Sequence, residues 1–91
     1  MNKILKDFLE SDVWNSDFII NEIFEKIEKV KKNKNSNQEF IWNSFELIIW
    51  NKEIFLYNQF NEEKAKISLE TFENSLKKIK KNIFLKELKK I

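Results

Sequence analysis

Four carboxylates, Asp7, Glu10, Asp12 and Asp17, crowd a short stretch around Trp14. Carboxylates can serve acid–base catalysis, capture a basic partner, or simply begin a helix, where the backbone dipole favours negative charge. Most of the fifteen Asp and Glu residues fall on faces predicted to be polar, which speaks against a catalytic pair. Other catalytic chemistry lacks its residues. The chain has no His, the usual base near neutral pH, and no Cys, the readiest nucleophile and thiolate ligand. Without Gly there is no phosphate-cradling loop of the P-loop or dinucleotide type. The expectation is no catalytic residue, metal, cofactor or small-molecule substrate: a binding protein rather than an enzyme.

All seventeen cations are lysines, so the bidentate arginine fork that reads guanine and clamps phosphate is missing. Charge is also uneven. Residues 1–28 carry three lysines against seven carboxylates, and residues 40–76 are acidic too, whereas residues 77–91 are strongly basic. A nucleic-acid-binding role would have to use Lys77, Lys78, Lys80, Lys81, Lys86, Lys89 and Lys90 at that end. The acidic body and the missing arginines argue against it, and lysines near a helix C-terminus, such as Lys29, Lys31 and Lys32, are favoured by the dipole alone.

The 91 residues suit one domain, which by surface scaling buries roughly 65% of the unfolded chain's surface. With 42% hydrophobic and 14% aromatic residues it is expected to fold. Residues 1–10 lack the apolar core of a signal peptide, and no stretch approaches the ~20 apolar residues of a membrane span. No membrane and a cytoplasmic location are expected.

The elements that must position these residues follow from periodicity. Ser16 caps a helix over 16–32 whose stripe is Ile20, Ile23, Phe24, Ile27 and Val30. Asn33 stands as its stop where other chains use glycine, and the polar run 33–37 is a loop. From Glu39 to Phe60 the period becomes 2, and Asn43-Ser44 and Asn51-Lys52 fit two-residue turns, because Asn tolerates positive φ. These turns set Phe40 opposite Leu47, Trp42 opposite Phe45, Ile49 opposite Ile54 and Leu47 opposite Leu56. All then share one face, which supports an antiparallel meander. Glu62-Glu63-Lys64 is read as a loop, and Ala65–Ile67 can add an edge strand. Ser68 caps a second helix with the stripe Leu69, Phe72, Leu76, Ile79 and Ile83. An end or bend is predicted at Lys81-Asn82, followed by a short basic helical tail, and Leu5–Leu9 can form a short N-terminal turn. The expected fold is α+β, an antiparallel three- to four-stranded meander with helices on one face, in the order α-β-β-β-α.

The opposite sheet face then holds Ile41, Ile48, Trp50, Phe55 and Tyr57 among Glu39, Glu46 and Glu53. A solvent-facing sheet is normally polar, so either the tail with Phe84, Leu85 and Leu88 folds over these residues, or they form an interface. Trp14 reads more simply as a core anchor beside the helix start than as a contact.

The stretch Asp7-Phe8-Leu9-Glu10-Ser11-Asp12-Val13-Trp14-Asn15-Ser16 resembles the opening DFLxSxxWNS of small bacterial immunity proteins of the contact-dependent growth inhibition type. The resemblance continues through Glu39-Phe40-Ile41-Trp42-Asn43, Phe45-Glu46-Leu47-Ile48-Ile49 and Asn58-Gln59-Phe60-Asn61-Glu62-Glu63. It ends at Ile67-Ser68-Leu69-Glu70-Thr71-Phe72, similar to the family's ISLEEF, and spans residues 6–80. Where the family commonly has a Gly-containing turn this chain has Asn43-Ser44, and residues 83–91 read as a basic extension. The resemblance implies an antitoxin that binds and blocks a cognate toxin domain, often a nuclease, without doing chemistry. Nucleases must be basic to hold nucleic acid, which an acidic, aromatic-bearing inhibitor would exploit. The residues themselves, rather than the family motif, nominate Asp7, Glu10, Asp12, Asp17, Trp50 and Tyr57 as partner-binding in a 1:1 heterodimer. The alternatives from other classes are the lysine-tail nucleic-acid binder and a subunit that self-associates through Trp50, Phe55 and Tyr57. Salt-dependent nucleic-acid binding and oligomeric state, respectively, would reveal them.

Overall fold

A helix starts immediately at the N-terminal end of the computed structural model, which describes residues 2–13, 16–42 and 44–89. This helix, α1 (Lys3–Ser11), is more than the turn expected there. The Asn2 side chain accepts from the N–H groups of Ile4 (2.9 Å) and Leu5 (3.3 Å), satisfying two otherwise orphan donors. Leu5, Phe8 and Leu9, spaced i, i+3 and i+4, are buried.

The second helix, α2 (Asp17–Lys32), matches the expected span. Ser16 Oγ accepts from Ile19 N–H (3.3 Å), Asp17 lies in the first turn, and Lys29, Lys31 and Lys32 occupy the last. Ile20, Ile23, Ile27 and Val30 are fully buried, while Phe24 is half-buried at the stripe's edge. Asn33 does end the helix, but with an extended backbone (φ −127°), not in the left-handed region that would make it a glycine substitute.

Four strands follow: β1 (Gln38–Ile41), β2 (Phe45–Ile49), β3 (Glu53–Asn58) and β4 (Lys64–Ser68). They pair antiparallel in the order β1-β2-β3-β4. The observed register sets Phe40 against Leu47, Leu47 against Leu56 and Ile49 against Ile54, as the two turns require. The edge strand adds Ile67 against Ile54 and Ala65 against Leu56.

The Asn51-Lys52 turn reaches that register by another route than expected. Trp42 N–H donates to Phe45 O and Trp50 N–H to Glu53 O, each at 2.9 Å, which closes both links. Asn43 lies outside the described residues. Asn51 does not use a positive φ; among the described residues only Glu62 does (φ 61°). A left-handed backbone costs a non-glycine residue roughly 1–2 kcal/mol, and the adjoining Lys52 carbonyl instead accepts Leu69 N–H at 2.9 Å, tying the turn to the next helix. The β3–β4 loop also shifts. Lys64 belongs to β4, and Phe60 leaves the alternating pattern because the Asn58 side chain accepts from Phe60 N–H (2.9 Å), curling the chain into a turn.

The last helix, α3 (Leu69–Lys89), begins at Ser68, whose Oγ accepts from Thr71 N–H (3.2 Å). It corrects the expected break at Lys81-Asn82, since it runs unbroken to Lys89. Asn in a helix costs only ~0.7 kcal/mol against Ala, and each added residue gains a backbone bond once the helix exists. Ile83, one residue on, is still buried and anchors it. Phe84, Leu85 and Leu88 consequently stay on an exposed helix instead of folding over the sheet.

The observed order is α-α-β-β-β-β-α, an α+β fold with helices packed on the sheet. Between the layers lies the core. Phe8 packs against Trp42 (ring centroids 5.3 Å), Phe45 (5.4 Å) and Phe72 (6.3 Å), so three elements meet on one ring. Burying each such side chain stabilises the fold by about 1.5–3 kcal/mol.

Candidate functional site

The pleat that turns Leu47 and Leu56 inward turns their neighbours outward. Reading across the sheet, one outer row runs Glu39–Ile48–Phe55–Lys66, and the next runs Ile41–Glu46–Tyr57–Lys64. Ile41 is 67% exposed, Trp50 42% and Phe55 39%. Phe84, Leu85 and Leu88 of α3 are themselves exposed and are not buried against this face. Trp50 and Phe55 meet edge to face at 6.3 Å, which orders the aromatic surface without burying it. On the β4 side, Lys66 Nζ lies 5.7 Å from the Phe55 ring centre and Lys64 Nζ 5.9 Å from that of Tyr57. A shallow groove of about 410 Å³ follows this face between Glu46, Ile48, Phe55, Tyr57, Lys64 and Lys66.

The carboxylates nominated from the sequence separate into three settings. Asp7 and Glu10 sit on α1 and line a second groove, about 370 Å³, with Ser11, Ser44, Asn58 and Phe60. Asp12 does internal work: its carboxylate accepts the Phe45 N–H at 3.0 Å, pinning the end of α1 to the first residue of β2. Asp17 belongs to the helical side of the molecule. It begins α2 beside Asn21 (3.4 Å), and Asn21 accepts from Lys80 of α3.

Tyr57 precedes Asn58 on β3 and so stands at the same end of the sheet as the groove of Asp7 and Glu10, but on the outer face, whereas α1 packs on the inner one. Trp50 lies beyond the other end of β2, five residues from Phe45, or about 17 Å at the usual strand rise. The structure thus brings Asp7, Glu10 and Tyr57 to one end of the sheet and places Trp50 at the other. Trp14 lies outside the described residues, as does Lys90.

Three contributors were not nominated from the sequence. Phe60, 78% exposed, was counted among the alternating apolar residues, and only the turn chemistry of Asn58 and Asn61 signals its departure. Lys64 and Lys66 alternate with Ala65 and Ile67, a short period-2 pattern that does mark an outward pair. Among the described residues there is no cluster suited to a metal ion, and no helix is long and apolar enough to cross a membrane.

Fold and surface together define a class: a small α+β protein with one sheet face open, aromatic and flanked by charge. No protein-family model matches the chain, and the searches of curated proteins and of solved structures found no match either.

Proposed function

We propose that this chain is a cytoplasmic immunity protein that binds a toxin domain one to one and neutralises it by occupying its surface. The observation that carries the reading is the open sheet face, where Ile41, Trp50 and Phe55 remain in contact with water although the fold has a complete core without them. Exposed aromatics clustered beside charges are the composition of protein-binding sites. The resemblance of residues 6–80 to immunity proteins supplies the class of partner. The acidic groove of Asp7 and Glu10 suits a basic domain, because complementary charge speeds encounter while buried aromatics slow release.

The test is co-expression with the toxin domain encoded beside this chain, followed by binding kinetics. The expected Kd is nanomolar or tighter, about −12 kcal/mol or beyond. Trp50→Ala and Tyr57→Ala should raise the dissociation rate, while Asp7→Asn and Glu10→Gln should lower the association rate, an effect that salt erases. A wild-type chain that neither binds nor protects overturns the reading. Protection that survives all four substitutions overturns the assignment of residues.

A further inference from the structure

We infer that the open sheet face docks a second copy of this chain, face to face, about a two-fold axis parallel to the strands. The inference goes beyond toxin binding and is measured on the protein alone. It rests on how the outer rows are ordered. Both rows end in lysine at β4 (Lys64, Lys66), whereas the carboxylates within these rows, Glu39 and Glu46, stand on β1 and β2; a third, Glu53, lies beyond the rows on β3 and pairs with Lys66. The aliphatic and aromatic residues Ile48, Phe55 and Tyr57 lie between them. The face therefore carries a charge gradient perpendicular to the strands.

A two-fold axis parallel to the strands, running between β2 and β3, reverses that gradient in the second copy. It lays β1 over β4 of the other chain and β2 over β3. Within the Glu39–Ile48–Phe55–Lys66 row, Glu39 then meets Lys66 of the second copy and Ile48 meets its Phe55, each contact occurring twice. In the neighbouring row Glu46 meets the hydroxyl end of Tyr57, while Ile41 lies over the stem of Lys64 and adds no charge pair. An axis perpendicular to the strands would instead lay the carboxylate-bearing β1–β2 half over its own counterpart and set Lys66 on Lys64. The face is thus self-complementary in one orientation and repulsive in the other. Within one chain Glu39 and Glu46 form no ion pair among the described residues; on this face only Glu53 and Lys66 do, at 3.3 Å. Docking lets Glu39 share the Lys66 ammonium that Glu53 of the second copy already meets, and removes the exposed Phe55 from water.

Size sets the strength. Four strands about 4.8 Å apart and five residues long present a patch about 19 by 17 Å, below the roughly 800 Å² per partner of a standard stable interface. The dimer is accordingly weak, reversible and dependent on concentration. Because the same face serves the proposed toxin contact, toxin binding would displace the second copy.

Sedimentation equilibrium of the purified wild-type chain, from ~1 μM to ~1 mM, reads this directly. The expected result is a monomer–dimer equilibrium that weakens as salt rises. Glu39→Lys or Lys66→Glu alone should weaken the dimer ~10-fold or more, because each sets like charges together twice. Both substitutions in one chain, or an equimolar mixture of the two single variants, should restore it to within ~3-fold of wild type. Phe55→Asp should abolish it, with circular dichroism showing that the variant is folded. A wild-type chain that stays monomeric throughout overturns the inference. So does a dimer indifferent to these substitutions, which would place the contact elsewhere, as on Phe84, Leu85 and Leu88, and so does a double variant that fails to recover.

Discussion

The two faces of the sheet are built from the same four strands, yet they do opposite work. Inward, Phe45, Leu47, Ile49, Ile54 and Leu56 are all but sealed from water beneath α1, α2 and α3. Outward, Ile48, Phe55 and Tyr57 occupy the intervening positions and stay partly or wholly exposed. Large apolar residues occur on both faces; the outer ones differ in standing among Glu39, Glu46, Glu53, Lys64 and Lys66 and in keeping contact with water. A large apolar side chain left uncovered in a fold with a finished core adds little to stability, so its place is better understood through what it touches outside the chain.

Substitution across the two faces sharpens that contrast, and the largest expected effect is inside. Leu47→Ala should cost ~2–5 kcal/mol, because Leu47 is fully buried between Phe40 and Leu56 and the cavity cannot collapse without moving both strands. Phe55→Ala, one pleat away in the adjacent strand, should cost less than ~1.5 kcal/mol. Chemical denaturation of the two variants, compared at equal m-value, measures the difference. Similar losses at both positions would mean that the outer face belongs to the core and would remove the basis for an interface.

Next in size is the link from α1 to β2. Asp12→Ala removes the acceptor for the part-buried Phe45 N–H and should cost about 1–3 kcal/mol, whereas Asp12→Asn keeps an oxygen there and should cost less than half as much. Thermal unfolding of the pair separates the roles. If Ala and Asn behave alike and both weaken partner binding, Asp12 is a recognition charge after all.

Much of this division was legible in the sequence, and the reasons are local. Both turn positions and the inward register follow from where Asn interrupts alternating apolar residues, because a shift of one residue would have turned Leu47 and Leu56 outward together. Helix starts were equally plain at Ser16 and Ser68, where a hydroxyl precedes an apolar stripe. What stayed hidden depends on contacts distant in sequence or on weak preferences. Asp12 reads as one more surface carboxylate until β2 is brought against it, 33 residues later. The stripe of α3 slips out of phase after Asn82, which imitates a helix end, yet backbone propagation outweighs one indifferent residue. Glu62, with its left-handed backbone, and the exposed Phe60 beside it reflect a turn built by Asn58, and alternation alone gives no sign of it.

The smallest effect tests whether the contrast between faces extends to ion pairs. On the outer face, Lys66 and Glu53 stand 3.3 Å apart with side chains 61% and 36% exposed. Between α2 and α3, Lys31 and Glu73 approach to 2.8 Å, and the Glu73 side chain is only 13% exposed. The hydrogen bond that Lys31 donates to Glu73 raises the Lys31 pKa above its ordinary 10.5; burial opposes the shift, and the charges of Glu73 and Glu28 add to it. Since Lys31 is itself substantially exposed, solvent screening holds the pair to ~0.2–1 kcal/mol. A raised lysine pKa means that the folded chain holds its proton more tightly than the unfolded one. The contribution is therefore complete below pH 10.5 and fades as pH rises through the higher folded value. Glu73→Gln should accordingly destabilise the protein slightly at neutral pH, and the gap from wild type should close in strongly alkaline buffer. Glu53→Gln should show a smaller gap at neutral pH. Urea titrations of both variants at neutral and alkaline pH decide it: a gap for Glu73→Gln that persists once Lys31 has lost its proton would mean that Glu73 stabilises α3 through its packing, and that the pairing with Lys31 adds nothing.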